Sequence, residues 1–97
     1  MKQVSILFFL LITSVVFSQD ITIIDAETGK VIQTVAVFNK SKTTSAISND
    51  NGKADISAFK NDEILFFSHV SYAEYQEKKS ILKSNNYQVY LSKNSEQ

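Results

Sequence analysis

From Ile21 onward the chain is cut into short runs of β-branched and aromatic residues by turn chemistry, and no helical period lasts beyond two turns. "ITIID" (21–25) reads as a strand, and Gly29 in the following "AETGK" stands where a turn needs positive φ. "VIQTVAVFN" (31–39) carries apolar residues at both parities, Val31, Val35 and Val37 against Ile32, Ala36 and Phe38, which predicts a strand covered on both sides. "TTSAIS" (43–48) and "KADISAF" (53–59) flank "NDNG", whose Asn51-Gly52 pair predicts a type I′ hairpin with positive φ at both residues. "DEILFFSHV" (62–70) has Ile64, Phe66, Ser68 and Val70 on one side and Leu65, Phe67 and His69 on the other, as a central strand would. "YAEYQEKKSIL" (72–82) alternates like a half-exposed strand, although Glu74 and Lys78 at i, i+4 would also suit a helix. The strand is preferred, because a turn at Asn85-Asn86 and a strand "YQVYLS" (87–92) then complete an antiparallel meander. Seven short strands at this spacing predict an all-β sandwich over residues 19–92, followed by a polar tail at 93–97.

The first residues follow a different logic. "MKQVSILFFLLITSVVFSQD" has Lys2 as a positive end, an apolar run over 6–12, and Val16 and Ser18 as the small-residue signal for cleavage between Ser18 and Gln19. Residues 1–18 therefore read as a secretory signal peptide, and the apolar segment falls short of the ~20 residues of a spanning helix. The expected destination is export, to the periplasm or outer membrane or beyond the cell.

Charge narrows the function classes. The ten basic residues are all lysine and face ten acidic ones; without Lys2 the balance is nine against ten, about one negative charge. Nucleic-acid binding needs a basic face with arginine forks, so no nucleic-acid partner is expected. The absence of cysteine removes thiol catalysis, disulfides and thiolate metal sites.

Four stretches, "IIDAETGKVIQTVAVFNK", "ISNDNGKADIS", "DEILFFSHVSYAEYQ" and "YQVYLS", together resemble the carboxypeptidase-like regulatory domain. The matching motifs are a D-x-x-T-G turn (Asp25, Thr28, Gly29), a second strand ending in Val37-Phe38, the turn ending in Gly52, and an apolar strand running through Ser68 to Tyr72. Val31 and Gln33 stand where the family commonly has proline, and Ser71 where it commonly has glycine. The resemblance implies a seven-stranded immunoglobulin/transthyretin-like (prealbumin-like) β-sandwich. It further implies a non-enzymatic accessory or interaction module of the cell envelope, with neither cofactor nor catalytic residue. In TonB-dependent outer-membrane receptors of the Bacteroidetes type such a domain lies at the mature N-terminus, so the implied partners are envelope proteins or a covalently following receptor region. The alternative is a stand-alone secreted sandwich that binds carbohydrate or protein.

The residues that could carry chemistry favour the same side. His69 is the single histidine; Ser68 points to the opposite strand face, and Ser71 lies roughly 6 to 7 Å along the strand, so no nucleophile is within reach. Packing is the expected role of His69. Asn49, Asp50, Asn51 and Asp55 lack the alternating ligands of a helical calcium loop and read as a turn. Asp62-Glu63 reads as charged protection of an apolar strand. Tyr72, Tyr75, Tyr87 and Tyr90 alternate in parity, which favours packing over a sugar-stacking platform. Ring-opening purine hydrolases of transthyretin fold use histidines and an arginine, a set this chain lacks.

Overall fold

The computed structural model describes residues 19–94. The expected signal peptide and Ser18 of its cleavage site lie outside them, and Gln19 is the first residue described. The strands are β1 (Asp20–Asp25), β2 (Ala36–Phe38), β3 (Ser45–Ile47), β4 (Lys53–Asp55), β5 (Ile64–His69), β6 (Tyr72–Lys78) and β7 (Gln88–Leu91). A six-residue helix, α1 (Lys79–Ser84), separates the last two. Strands form two sheets, ordered β4-β1-β7 and β3-β2-β5-β6. The fold is all-β, as the turn-cut pattern predicts.

One core lies between the sheets. Ile21 and Ile23 of β1, Val89 and Leu91 of β7 and Ala54 of β4 meet Val37 of β2 and Leu65 and Phe67 of β5, joined by Ile56, Phe59 and Leu82 from the connections. The period of two is what sorts these residues inward, because alternate side chains leave opposite faces of a strand. In β5 the inward set is Leu65 and Phe67, while Ile64 and Ser68 are exposed and Phe66 is half-buried.

Three expectations are corrected, and each correction marks a crossing between sheets. Residues 31–39 do not form one doubly covered strand. Val31 makes an isolated bridge to Ile24 of β1, Thr34 takes φ 61, and regular pairing resumes at Ala36. The chain breaks there because it leaves the three-stranded sheet and enters the other. The buried Ser48 hydroxyl satisfies the break, accepting from the Val35 N–H at 2.9 Å and donating to the Ile32 carbonyl at 2.9 Å.

The Asn51-Gly52 turn is not type I′ and does not join paired strands. Only Gly52 has positive φ (73), and its N–H donates to the Asn49 carbonyl at 2.8 Å. The Asn49 side-chain oxygen accepts from the N–H groups of Asn51 and Lys53. This is a turn followed by a left-handed glycine, the three-residue alternative to the primed turn. β3 then pairs with β2 and β4 with β1, so the turn hands the chain from sheet to sheet.

Residues 72–82 are strand only as far as Lys78, and the antiparallel meander is absent, since β7 lies parallel to β1. α1 carries the chain from β6 in one sheet to β7 beside β1 in the other, burying Leu82 on the way. The helix closes through the Leu82 carbonyl, which accepts from Asn85 at 3.0 Å and Tyr87 at 2.8 Å. Asn86 and Tyr87 both lie in the left-handed region, with φ 58 and 57. Beyond β7, Ala73 donates to the Ser92 carbonyl and Asn94 to that of Ser71, tying residues 92–94 to the start of β6.

Candidate functional site

The outer face of the four-stranded sheet carries an apolar shelf. Register places Phe38 opposite Phe66 and Ala36 opposite Ile47, and the shared parity turns all four away from the core. The Phe38 and Phe66 rings stack with centroids 5.8 Å apart and planes 12° from parallel. The Lys42 ammonium sits 5.4 Å from the Phe38 centroid, within cation–π range. Phe38, Lys40, Lys42, Phe66 and Glu74 border a hollow of about 300 Å³. A second hollow, of about 540 Å³, adjoins Lys40 and is bordered also by Asp62, Glu63 and Ile64. Ile47 is 63% exposed and Ile64 44%. An apolar shelf rimmed by both signs of charge suits contact with another protein surface.

The loop beside the shelf is held from beneath. Asn39 is buried; its side-chain oxygen accepts from Thr43 and Thr44 N–H, and its amide nitrogen donates to Thr43 Oγ1 and Glu63 Oε2. Glu63 Oε1 accepts the Lys60 N–H at 2.9 Å. Lys60 and Asn39 thereby hold the Glu63 carboxyl below its usual range. Glu63 therefore anchors the loop that presents Lys40 and Lys42, a role that the reading of Asp62-Glu63 as strand protection did not contain. Nothing in the spacing of Asn39 and Glu63, far apart in sequence, signals the bond.

The end of β1 and the start of β6 meet through Asp25 and Tyr72. Asp25, buried at the end of β1, accepts from the N–H groups of Glu27 and Thr28 through Oδ1 and from the Tyr72 hydroxyl through Oδ2 at 2.7 Å. Lys93 stands 4.0 Å away. The Tyr72 hydroxyl, with the turn N–H groups and Lys93 adding to it, holds the Asp25 carboxyl below its ordinary value against the opposing effect of burial. In return the Asp25 bond, then burial, push the Tyr72 phenol up to about 12. Since β1 and β6 belong to different sheets, the bond clamps the sheets together.

The sign of each linkage follows from the direction of the shift. Asp25 stabilises the fold above its ordinary value of 3.8, and that contribution is lost as pH falls through the lowered folded value. Tyr72 contributes below its ordinary 10.0, and the contribution is lost as pH rises through about 12. Tyr75 is also pushed up to about 12, by burial and by its bond to Glu77. Alkaline titration followed by phenolate absorbance should show both phenols ionising near pH 12. Tyr72→Phe should remove one of them and move acid unfolding to higher pH. Loss of no late-titrating phenol in that variant would refute the clamp.

No family model, curated protein or solved structure matches the chain.

His69 is half-buried at the end of β5, where a register shift separates it from Phe67. Its Nδ1 accepts the Ser71 N–H at 3.0 Å, and its ring meets Tyr72 edge-on at 5.2 Å. These contacts shape the β5–β6 turn. His69→Gln is expected to cost no more than ~1 kcal/mol in urea unfolding, the scale of one hydrogen bond. A loss several times larger would assign the ring a role beyond the turn.

The remaining candidates are dispersed. Asn49 is engaged by its own turn, and Asp55 accepts the Ser57 N–H at 2.9 Å. Tyr75 bonds Glu77, Tyr90 bonds Gln88 from an exposed position on β7, and Tyr87 lies in the turn after α1. The tyrosines do not form one platform. Lys79, which the alternation of residues 72–82 placed on a strand, is instead a buried helical lysine whose ammonium donates to the Phe59 carbonyl at 2.6 Å.

Proposed function

We propose that the chain is a non-catalytic interaction module of the cell envelope, exported by residues 1–18 and beginning in mature form at Gln19. In this reading it is a transthyretin-like sandwich of the carboxypeptidase-like regulatory kind, serving as the N-terminal module of a TonB-dependent outer-membrane receptor. The observation that carries the interaction role is the stacked Phe38–Phe66 pair on a sheet face turned away from the core, with Lys42 over one ring. Both rings are half-buried by the chain itself, and their remaining apolar surface would bury well against a partner. The acids best placed for chemistry, Asp25 and Glu63, are already committed to holding the fold.

The test has two parts that fail independently. Intact mass of protein recovered from an exporting host should correspond to a chain starting at Gln19, and retention of residues 1–18 would sink the export reading. A photo-crosslinking residue at position 66 should give a discrete adduct with an envelope protein in producing cells, lost on Phe38→Ser and kept on Tyr90→Ser. Equal labelling from positions 66 and 90 would remove the shelf as the contact surface.

A further inference from the structure

At the end of the molecule where α1 begins, the chain buries a cation without neutralising it by contact. Lys79 is 5% exposed, and its ammonium has the Phe59 carbonyl as acceptor. An ammonium carries three donors, and among the described residues one of them is matched. Among the described residues the one ion pair within 4.0 Å is Lys93 with Asp25, so no carboxylate touches Lys79. Asp55 and Glu63 are near enough to favour its charge, yet burial outweighs them and lowers its proton affinity. Asp55 Oδ1 accepts the Ser57 N–H, and the two Glu63 oxygens accept from Asn39 and Lys60.

A cavity of about 180 Å³ lies at this end of the molecule, lined by Gln19, Asn61, Lys79, Ser80, Lys83 and Tyr87. Every lining side chain ends in a group able to donate a hydrogen bond, and none is anionic. Lys83 follows Lys79 by one helical turn, so two like charges share a face of α1, an arrangement that destabilises a bare helix. Burial of one cation and repulsion by the next are both relieved by a negative group between them.

We propose that this cavity binds a small oxyanion, phosphate or sulfate, free or carried as an ester. Lys79 forms the floor and takes the anion's charge as a point cation, Lys83 closes over it from the rim, and the neutral donors of Asn61 and Ser80 complete the shell. The site lies apart from the Phe38–Phe66 shelf and shares no lining residue with it.

The test is a backbone-amide NMR titration with inorganic phosphate, inorganic sulfate and glycerol phosphate, each at ionic strength held constant with sodium chloride. Saturable shifts confined to Asn61, Ser80, Lys83 and Tyr87 are expected. Lys83→Gln, at an exposed position that leaves the core intact, should weaken binding about tenfold, the scale of one charge-assisted bond. Lys79→Met should abolish the saturable response. Saturation by the inorganic ions alone assigns a free anion, and saturation by glycerol phosphate as well assigns a carried group. Shifts that sodium chloride reproduces, or that Lys83→Gln leaves unchanged, would overturn the proposal.

Discussion

Gly52→Ala is expected to destabilise the protein by about 2–5 kcal/mol, combining a left-handed backbone penalty with overpacking. Gly52 holds φ 73, and a Cβ there would meet Val31 Cβ at 2.6 Å, the Ile23 carbonyl oxygen at 3.0 Å and the Ile32 nitrogen at 3.2 Å. The last two atoms are themselves bonded at 2.9 Å, so the new carbon would press on the link that holds the chain after β1 against it. Gly29 supplies the control. Its φ is 75, but nothing lies within 4 Å of its Cβ position, so Gly29→Ala should cost only the backbone term of about 1–2 kcal/mol. Urea unfolding of the two variants separates strain from steric conflict. Equal losses would mean that the strand around Val31 yields freely.

Phe67→Ala is expected to cost about 3–5 kcal/mol, because truncating a fully buried ring leaves a cavity that the packed neighbours do not refill. Phe67 has no exposed surface, lies opposite Val37 of β2, and meets the Tyr75 ring at 5.7 Å. Its neighbour in sequence behaves differently. Phe66→Ala should cost only about 0.5–1.5 kcal/mol, the worth of an aromatic pair, since Phe66 loses its stacking on Phe38 while the core is untouched. Thermal and urea melts of both variants check the contrast. A Phe66→Ala loss equal to that of Phe67→Ala would show that the outer face is covered by the chain itself, and the shelf would lose its standing as a binding surface.

The difference between these adjacent phenylalanines shows where reading the sequence stops. Alternation divides residues 64–70 into Ile64, Phe66, Ser68 and Val70 against Leu65, Phe67 and His69, and both sets are largely apolar. Parity states that the two rings face opposite ways; it does not state which way is inward. That choice follows from the partner sheet, whose Ile21, Ile23, Val89 and Leu91 lie on the side of Leu65 and Phe67. The candidate shelf was for the same reason out of reach of the sequence, where Phe38 and Phe66 are merely two strand aromatics. Lys79 was hidden by the regular alternation of residues 72–78, which runs smoothly into a segment that turns helical.

What the sequence determined by itself is local. Period-two apolar patterning, β-branched runs and the turn residues made the chain all-β, and Gly52 stood out as a left-handed turn position. Only the tertiary structure decided which strands are partners. Asn51-Gly52 looked like the tip of a hairpin, yet β3 and β4 joined different sheets; residues 72–92 looked like a meander, yet β7 joined β1 in parallel. The physical reason is that turn and strand propensities act over a few bonds, whereas sheet membership is won by the burial of apolar faces from distant segments. The Asp25–Tyr72 clamp, joining residues 47 apart in the chain, exists only once that burial has brought the two sheets together.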